Sequence, residues 1–112
     1  MGIIDLKKKD FTGSCLDTYN KGPVVILFKA NWCGYCTRFL PQYEEFCKIT
    51  KDKVICCMVD VDNESELINE INSFIYGFQV NSFPTIVLYN NGHYIKTYNG
   101  NRDIQDLIKF IS

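Results

Sequence analysis

Val24-Val25-Ile26-Leu27-Phe28 is a continuous apolar run, rich in β-branched residues, that leads directly into Trp32-Cys33-Gly34-Tyr35-Cys36. A run without polar alternation marks a strand buried on both faces, the pattern of a central, parallel strand. Such a strand needs covering layers on both sides, which restricts the chain to an α/β architecture. Over residues 34–50 the apolar positions Cys36, Phe39, Leu40, Tyr43, Phe46 and Cys47 recur at helical spacing. Cys33 then stands at the tip of this helix, and Cys36 begins its inward stripe.

That placement has a chemical consequence. The first turn of a helix offers unpaired backbone N–H groups at the positive end of the helix dipole, an environment that stabilises a thiolate. A thiolate attacks a disulfide, and a second cysteine one turn later attacks the resulting mixed disulfide from within the molecule. The spacing therefore describes a two-cysteine exchange pair with one sulfur reachable and the other shielded. Pro41 lies inside the same helix, where its ring removes a hydrogen bond and is expected to kink the axis.

The remaining chain reads as alternating elements. Residues 3–6 form a short strand, and Asp10 caps a helix to about residue 20 with Phe11, Cys15, Leu16 and Tyr19 inward, ended by Lys21-Gly22-Pro23. Residues 54–59 form a second buried strand. Asn63 and Glu66 have capping-box spacing before a helix carrying Leu67, Ile71, Phe74, Ile75 and Phe78. Residues 85–89 form an apolar strand, and Asn90-Asn91-Gly92 supplies a tight hairpin turn into a strand over residues 93–98. Ile104, Leu107, Ile108 and Ile111 give one apolar face to a final helix beginning near Asn101. The expected fold is a mixed sheet with helices on both faces.

With 112 residues the chain reads as one domain, able to bury roughly two-thirds of its unfolded surface without a staple. A formal charge of -1 gives no electrostatic reason to expect nucleic acid or an anionic membrane as partner. No apolar stretch follows the basic start as in a signal peptide, none approaches transmembrane length, and Leu6 stands where a myristoylation signal wants Ser or Thr. The six cysteines are read as thiols in a reducing, cytoplasmic setting, the ER lumen or a virion being the alternatives for a processed or viral chain.

Adjacent Cys56 and Cys57 point to opposite faces of a strand and cannot form a zinc knuckle. They and the inward-facing Cys15 and Cys47 are expected to be buried, inert thiols, a regulatory or dimer-forming thiol being the alternative for Cys15 or Cys47. His93 reads as an exposed edge-strand residue, Asp60 and Asp62 as strand-end and helix-cap groups rather than a metal pair, and Lys7-Lys8-Lys9 as a solvated turn. No metal site is expected.

Several motifs together carry a resemblance: the buried strand, Ala30-x-Trp32-Cys33-Gly34-x-Cys36, Pro41 five residues later, Val59-Asp60-Val61-Asp62, Ser82-Phe83-Pro84-Thr85, and Gly100 after the last strand. Over nearly its whole length the sequence resembles the thioredoxin superfamily, in its thioredoxin and protein disulfide isomerase branches. The run Tyr98-Asn99-Gly100-Asn101-Arg102 is more similar to an isomerase catalytic domain. The resemblance implies Cys33 as nucleophile, Cys36 as resolving cysteine and Pro84 as a cis-proline facing them. The backbone of Phe83 would then pair with an extended substrate, in a groove lined by Trp32, Gly34, Tyr35, Phe83, Pro84 and Gly100. It implies no bound cofactor, protein disulfides or thiols as substrates, an external reductase or thiol oxidase as partner, and a monomer.

Departures sharpen the reading. The family's buried carboxylate falls on Leu27 and its nearby lysine on Met58, so Cys36 should deprotonate slowly; Lys29 reads as a snorkelling strand-end lysine, with positive potential near Cys33 as the alternative. Gly34-Tyr35 is neither the Gly-Pro of reducing thioredoxins nor the Gly-His of isomerases, which leaves the direction of electron flow open. The stretch from Asp62 to Pro84 is about two helical turns longer than usual, either extending near the groove or neutral. The function read is a thiol-disulfide oxidoreductase. Alternatives are an isomerase-like oxidant, a binding module with vestigial redox chemistry, and an iron–sulfur-bridged dimer through Cys33.

Overall fold

The computed structural model describes residues 2–101 and 103–112. Arg102, which closes the isomerase-like run, lies outside them. The elements are β1 (Ile4–Asp5), a 3-10 turn (Lys8–Asp10), β2 (Phe11–Thr12), β3 (Cys15–Leu16), β4 (Pro23–Lys29) and α1 (Gly34–Ile49). They continue with β5 (Ile55–Asp60), α2 (Ser65–Ser73), β6 (Thr85–Asn90), β7 (His93–Thr97) and α3 (Ile104–Ile111).

The main sheet has the order β1-β5-β4-β6-β7, with β4 parallel to β5 and antiparallel to β6. The run read as central is central. Its alternation serves two cores: Val25 and Leu27 pack with Phe39, Tyr43 and Phe46 of α1 and Leu107 of α3. Val24, Ile26 and Phe28 pack with Leu67 and Ile71 of α2 on the other face. This is the thioredoxin fold, a mixed sheet flanked by helices on both faces. Tyr43, fully buried, donates its hydroxyl to the Cys57 carbonyl at 2.8 Å and the Val25 carbonyl at 3.2 Å, so its polar atom is satisfied between the two central strands. The hairpin β6–β7 turns at Asn91 and Gly92, both at positive φ, as their residue types predict.

Four expectations are corrected. Residues 10–20 do not form a helix: they make the small antiparallel hairpin β2–β3. Gly13, at φ 61, turns the chain. The Asp10 carboxylate is used locally, accepting from the Lys7 N–H and the Thr18 hydroxyl, both at 2.8 Å. Short polar side chains that bond to nearby groups compete with helix, and an interior glycine weakens it further.

The helix after Asn63 stops at Ser73, and Asn63 does not cap it. The Asn72 side chain takes over, accepting from the Val80 N–H at 2.7 Å and donating to the Val80 carbonyl at 3.1 Å. Phe78 returns to the core and stacks on Tyr94 with centroids 4.5 Å apart, which leaves Phe74, Ile75 and Tyr76 exposed on a loop. This longer stretch is therefore not a two-turn helical extension.

Cys47 and Cys56 are not free thiols. They form a disulfide between the end of α1 and the start of β5, with Cα atoms 5.9 Å apart, within the range a disulfide spans without backbone movement. Finally, α3 begins later than Asn101, because Asp103 caps it by accepting the Asp106 N–H at 2.9 Å.

Candidate active site

At the end of β4 the chain passes through buried Ala30 and turns, the Cys33 N–H donating to the Ala30 carbonyl at 3.2 Å. Cys33 is extended, with φ -88 and ψ 109, and caps α1: its sulfur accepts the Cys36 N–H at 3.1 Å. This is the arrangement expected for a sulfur at a helix start. The Cys33 thiol also faces the Phe83 carbonyl at 3.7 Å, so the sulfur lies between the helix tip and the loop before β6. Both cysteines are thiols, Cys33 7% and Cys36 2% exposed, packed with Ala30, Val61 and Phe83. The contrast of a reachable and a shielded sulfur is thus one of degree, Cys33 being at the edge.

Burial, chiefly, and then the hydrogen bond with Cys33 push the Cys36 thiol up to about 11. Lys29 acts weakly against this by its positive charge. Leu27 and Met58, which occupy the positions of the family's buried charged pair, are register partners on β4 and β5 within the α1-side core. One pleat nearer the cysteines, Lys29 and Asp60 are also register partners. The Lys29 ammonium lies 3.6 Å from the Asp60 carboxylate and donates to the Asn31 side-chain oxygen at 2.9 Å.

The rim is aromatic. Trp32 and Tyr35 are each 71% exposed. Trp32 meets Phe83 edge-on with ring centroids 5.7 Å apart, and the Arg38 guanidinium sits over the Tyr35 ring at 4.6 Å. The Phe83–Pro84 peptide is cis. Pro84 and Gly100 line one concavity of about 300 Å³ together with Gln79, Ser82 and Tyr98. A Cβ on Gly100 would stand 2.8 Å from the Tyr98 hydroxyl. The structure thus gathers Trp32, Cys33, Gly34, Tyr35, Cys36 and Phe83 at one end of the sheet, with Pro84 joining Gly100 beside them.

Two further residues serve this end. Asp62 caps no helix; one carboxylate oxygen accepts the Asn31 N–H at 2.7 Å and the other the Trp32 indole N–H at 3.2 Å. In sequence it closes Val59-Asp60-Val61-Asp62, just beyond a strand that ends beside the cysteines, and reads there as a helix cap. Arg38 was legible in principle, being one helical turn from Tyr35. Of the longer stretch before Pro84, Gln79 and Ser82 line this concavity and Phe83 faces Cys33. Phe74 and Tyr76 line a different concavity, with Ser14, Cys15 and His93 at the far end of β6. Among the described residues no cluster of three or more His, Cys, Asp or Glu is placed to hold a metal ion, and no helix is long and apolar enough to cross a membrane.

Residues 2–112 match the family described as Thioredoxin. The chain is 33% identical to the protein disulfide-isomerase of Datisca glomerata over 116 aligned positions, covering 97% of this chain and 21% of that protein. It is 39% identical to thioredoxin 1 of Plasmodium falciparum over 80 positions, 71% of this chain and 69% of that one. Among solved structures, the Trx4 domain of ERdj5 superposes with a TM-score of 0.77 at 24% identity, covering 99% of this chain and 93% of that domain. Zinc-bound human ERp44 gives 0.80 at 23% identity, over 97% of this chain and 30% of that one. The chain spans about a fifth of the isomerases that it matches.

Proposed function

This chain belongs to the thioredoxin family, and we propose that it is a protein thiol-disulfide oxidoreductase working through Cys33 and Cys36 as a single domain. One observation carries the reading: Cys33 caps α1 with its sulfur on the Cys36 N–H at 3.1 Å, at the edge of the surface, while Cys36 lies one turn inside.

In the reducing direction the Cys33 thiolate attacks one sulfur of a protein disulfide. A bond forms between Cys33 and the substrate, the substrate's own S–S bond breaks, and the released thiolate takes a proton. Cys36 then loses its proton and attacks the Cys33 sulfur, which forms the Cys33–Cys36 disulfide and frees the second substrate thiol. The second step is the slow one. Cys36 is a poor acid in this pocket, and Leu27 offers nothing to take its proton, whereas Lys29 favours the anion.

Trp32, Tyr35 and Phe83 supply apolar contact, and the backbone beside Pro84 supplies main-chain hydrogen bonds to an extended segment. Such recognition accepts many sequences. No bound cofactor takes part. An external reductase or thiol oxidase resets the pair.

A second reading, an isomerase-like exchanger in an oxidising compartment, is favoured by the Cys47–Cys56 bridge, since persistent disulfides belong to such compartments. The named isomerases among the relatives support it too. Reduction of insulin tests the general proposal: wild type is expected to turn over, Cys33→Ser to be inert, and Cys36→Ser to accumulate a mixed disulfide. Recovery of active ribonuclease from its scrambled form tests the second reading.

A further inference from the structure

At the end of the sheet away from Cys33, the fold brings a second thiol to an imidazole. Cys15 and His93 are 78 residues apart in sequence, yet the Cys15 sulfur lies 3.7 Å from Nδ1 of His93. The backbone on both sides of Cys15 is fixed. The Tyr89 hydroxyl donates to the Ser14 carbonyl at 2.7 Å, and the Leu16 N–H donates to the Gly92 carbonyl at 2.8 Å. Gly92 sits at φ 85, and a Cβ there would stand 2.6 Å from the Leu16 carbonyl oxygen, so the close approach of β3 to this turn requires glycine.

Solvent reaches the pair, because Cys15 is half-buried and His93 exposed. A concavity of about 230 Å³ opens beside them, walled by Phe74, Tyr76, Phe78 and Tyr94. Three of those rings, Phe74, Tyr76 and Phe78, come from the loop that replaces the expected end of α2. Cys57 provides the contrast: it is fully buried, burial pushes its thiol up to about 12, and it has no such opening.

We propose that Cys15 is a second thiol-exchange centre, with His93 as its proton acceptor, that takes small-molecule disulfides of the glutathione type into the aromatic-walled concavity. With the imidazole proton on Nε2, Nδ1 accepts the proton of the Cys15 thiol. The thiolate attacks one sulfur of the small disulfide. A bond forms between Cys15 and that half, the original S–S bond breaks, and the other half leaves as a thiolate that recovers the proton from His93. The Cys15 sulfur is oxidised and the departing sulfur reduced by one formal electron each, so the exchange balances without an outside oxidant. Cys33 and Cys36 are at the opposite end of β6, Cys57 is in the core, and Cys47 is bonded to Cys56, so no cysteine is beside Cys15 to resolve the adduct. The mixed disulfide therefore persists until an external thiol removes it, and this end of the molecule records redox state where the other end turns over. The proposal stands independently of the function assigned to Cys33.

The test treats the full chain, with Cys33 and Cys36 first oxidised to each other, with glutathione disulfide, and maps adducts by peptide mass spectrometry. One glutathionyl group on Cys15 and none on Cys57 is expected. Cys15→Ser should take none. His93→Asn should slow the adduct about tenfold at pH 7, with the thermal unfolding midpoint unchanged as the check on folding. If that variant unfolds early, His93→Gln gives the same reading. An adduct on Cys57 instead of Cys15, no adduct at all, or equal rates for wild type and a folded His93 variant would overturn the proposal.

Discussion

The two ends of α1 each carry a cysteine, and they use it in opposite ways. At the N-terminus Cys33 and Cys36 share one helical turn and remain thiols, the first held by the amide of the second. At the C-terminus Cys47 reaches across to Cys56 on β5 and is bonded to it. What differs is the surroundings. Cys33 meets a helix tip, a loop carbonyl and a groove, all able to receive a third party. Cys47 meets the neighbouring strand of its own core. The bridge fixes one end of the helix to the sheet whose other end presents Cys33 and Cys36.

The largest effect that sharpens this contrast is a pair of swaps. Cys33→Ser should bring insulin reduction to background, whereas Cys47→Ala with Cys56→Ala should leave the rate within about twofold, distant sites being independent. A substantial loss of rate in the double variant would mean that the bridge takes part in exchange. Next in size is pH. A Cys36 thiol near 11 is almost wholly protonated at neutrality, and its anion grows with pH, so release of a trapped mixed disulfide should accelerate about tenfold per unit between pH 7 and 10. Stopped-flow release from a preformed adduct reads this directly.

Leu27→Glu puts a proton acceptor into the pocket and should raise release at pH 7 several-fold, at a cost in stability of about 2–4 kcal/mol for a carboxyl placed in the core. Unchanged release would remove the missing carboxylate as the cause of slow resolution. Loss of the bridge itself should cost about 2–3 kcal/mol in urea unfolding, the loop that it closes being short. The smallest effect belongs to the rim. Asp62→Ala should free the indole of Trp32 at a cost of about 1 kcal/mol. Trp32 is the only tryptophan, so its fluorescence reports the change, and KM should rise with kcat unaltered.

Much of the reactive end was legible because its signals are local. The apolar run of β4, the helical spacing after Gly34 and the i, i+3 cysteines sit in one continuous segment, and the structure places them together as that segment predicts. The bridged end was not legible. Nothing in the spacing of Cys47 and Cys56 distinguishes two packed thiols from a bond; only the docking of α1 beside β5 brings their Cα atoms to 5.9 Å. The hairpin at residues 11–16 and the early end of α2 were misread for a related reason. Apolar periodicity continued through both, but Gly13 and the side chains of Asp10 and Asn72 supplied competing turns and hydrogen bonds that periodicity does not weigh. Asp62 reads from sequence as a helix cap, and its actual role was not legible because its partners, Asn31 and Trp32, are about thirty residues earlier in the chain.

Redox equilibration against glutathione, with trapped thiols mapped to individual cysteines, tests most directly that the N-terminal end of α1 exchanges disulfides while the C-terminal end does not. The expected result is one reversible two-electron transition, located at Cys33 and Cys36 between about -270 and -180 mV, the span from thioredoxin to the isomerase, with Cys47–Cys56 still oxidised throughout. A transition located instead at Cys47 and Cys56, or none at Cys33 and Cys36 over that range, would contradict it.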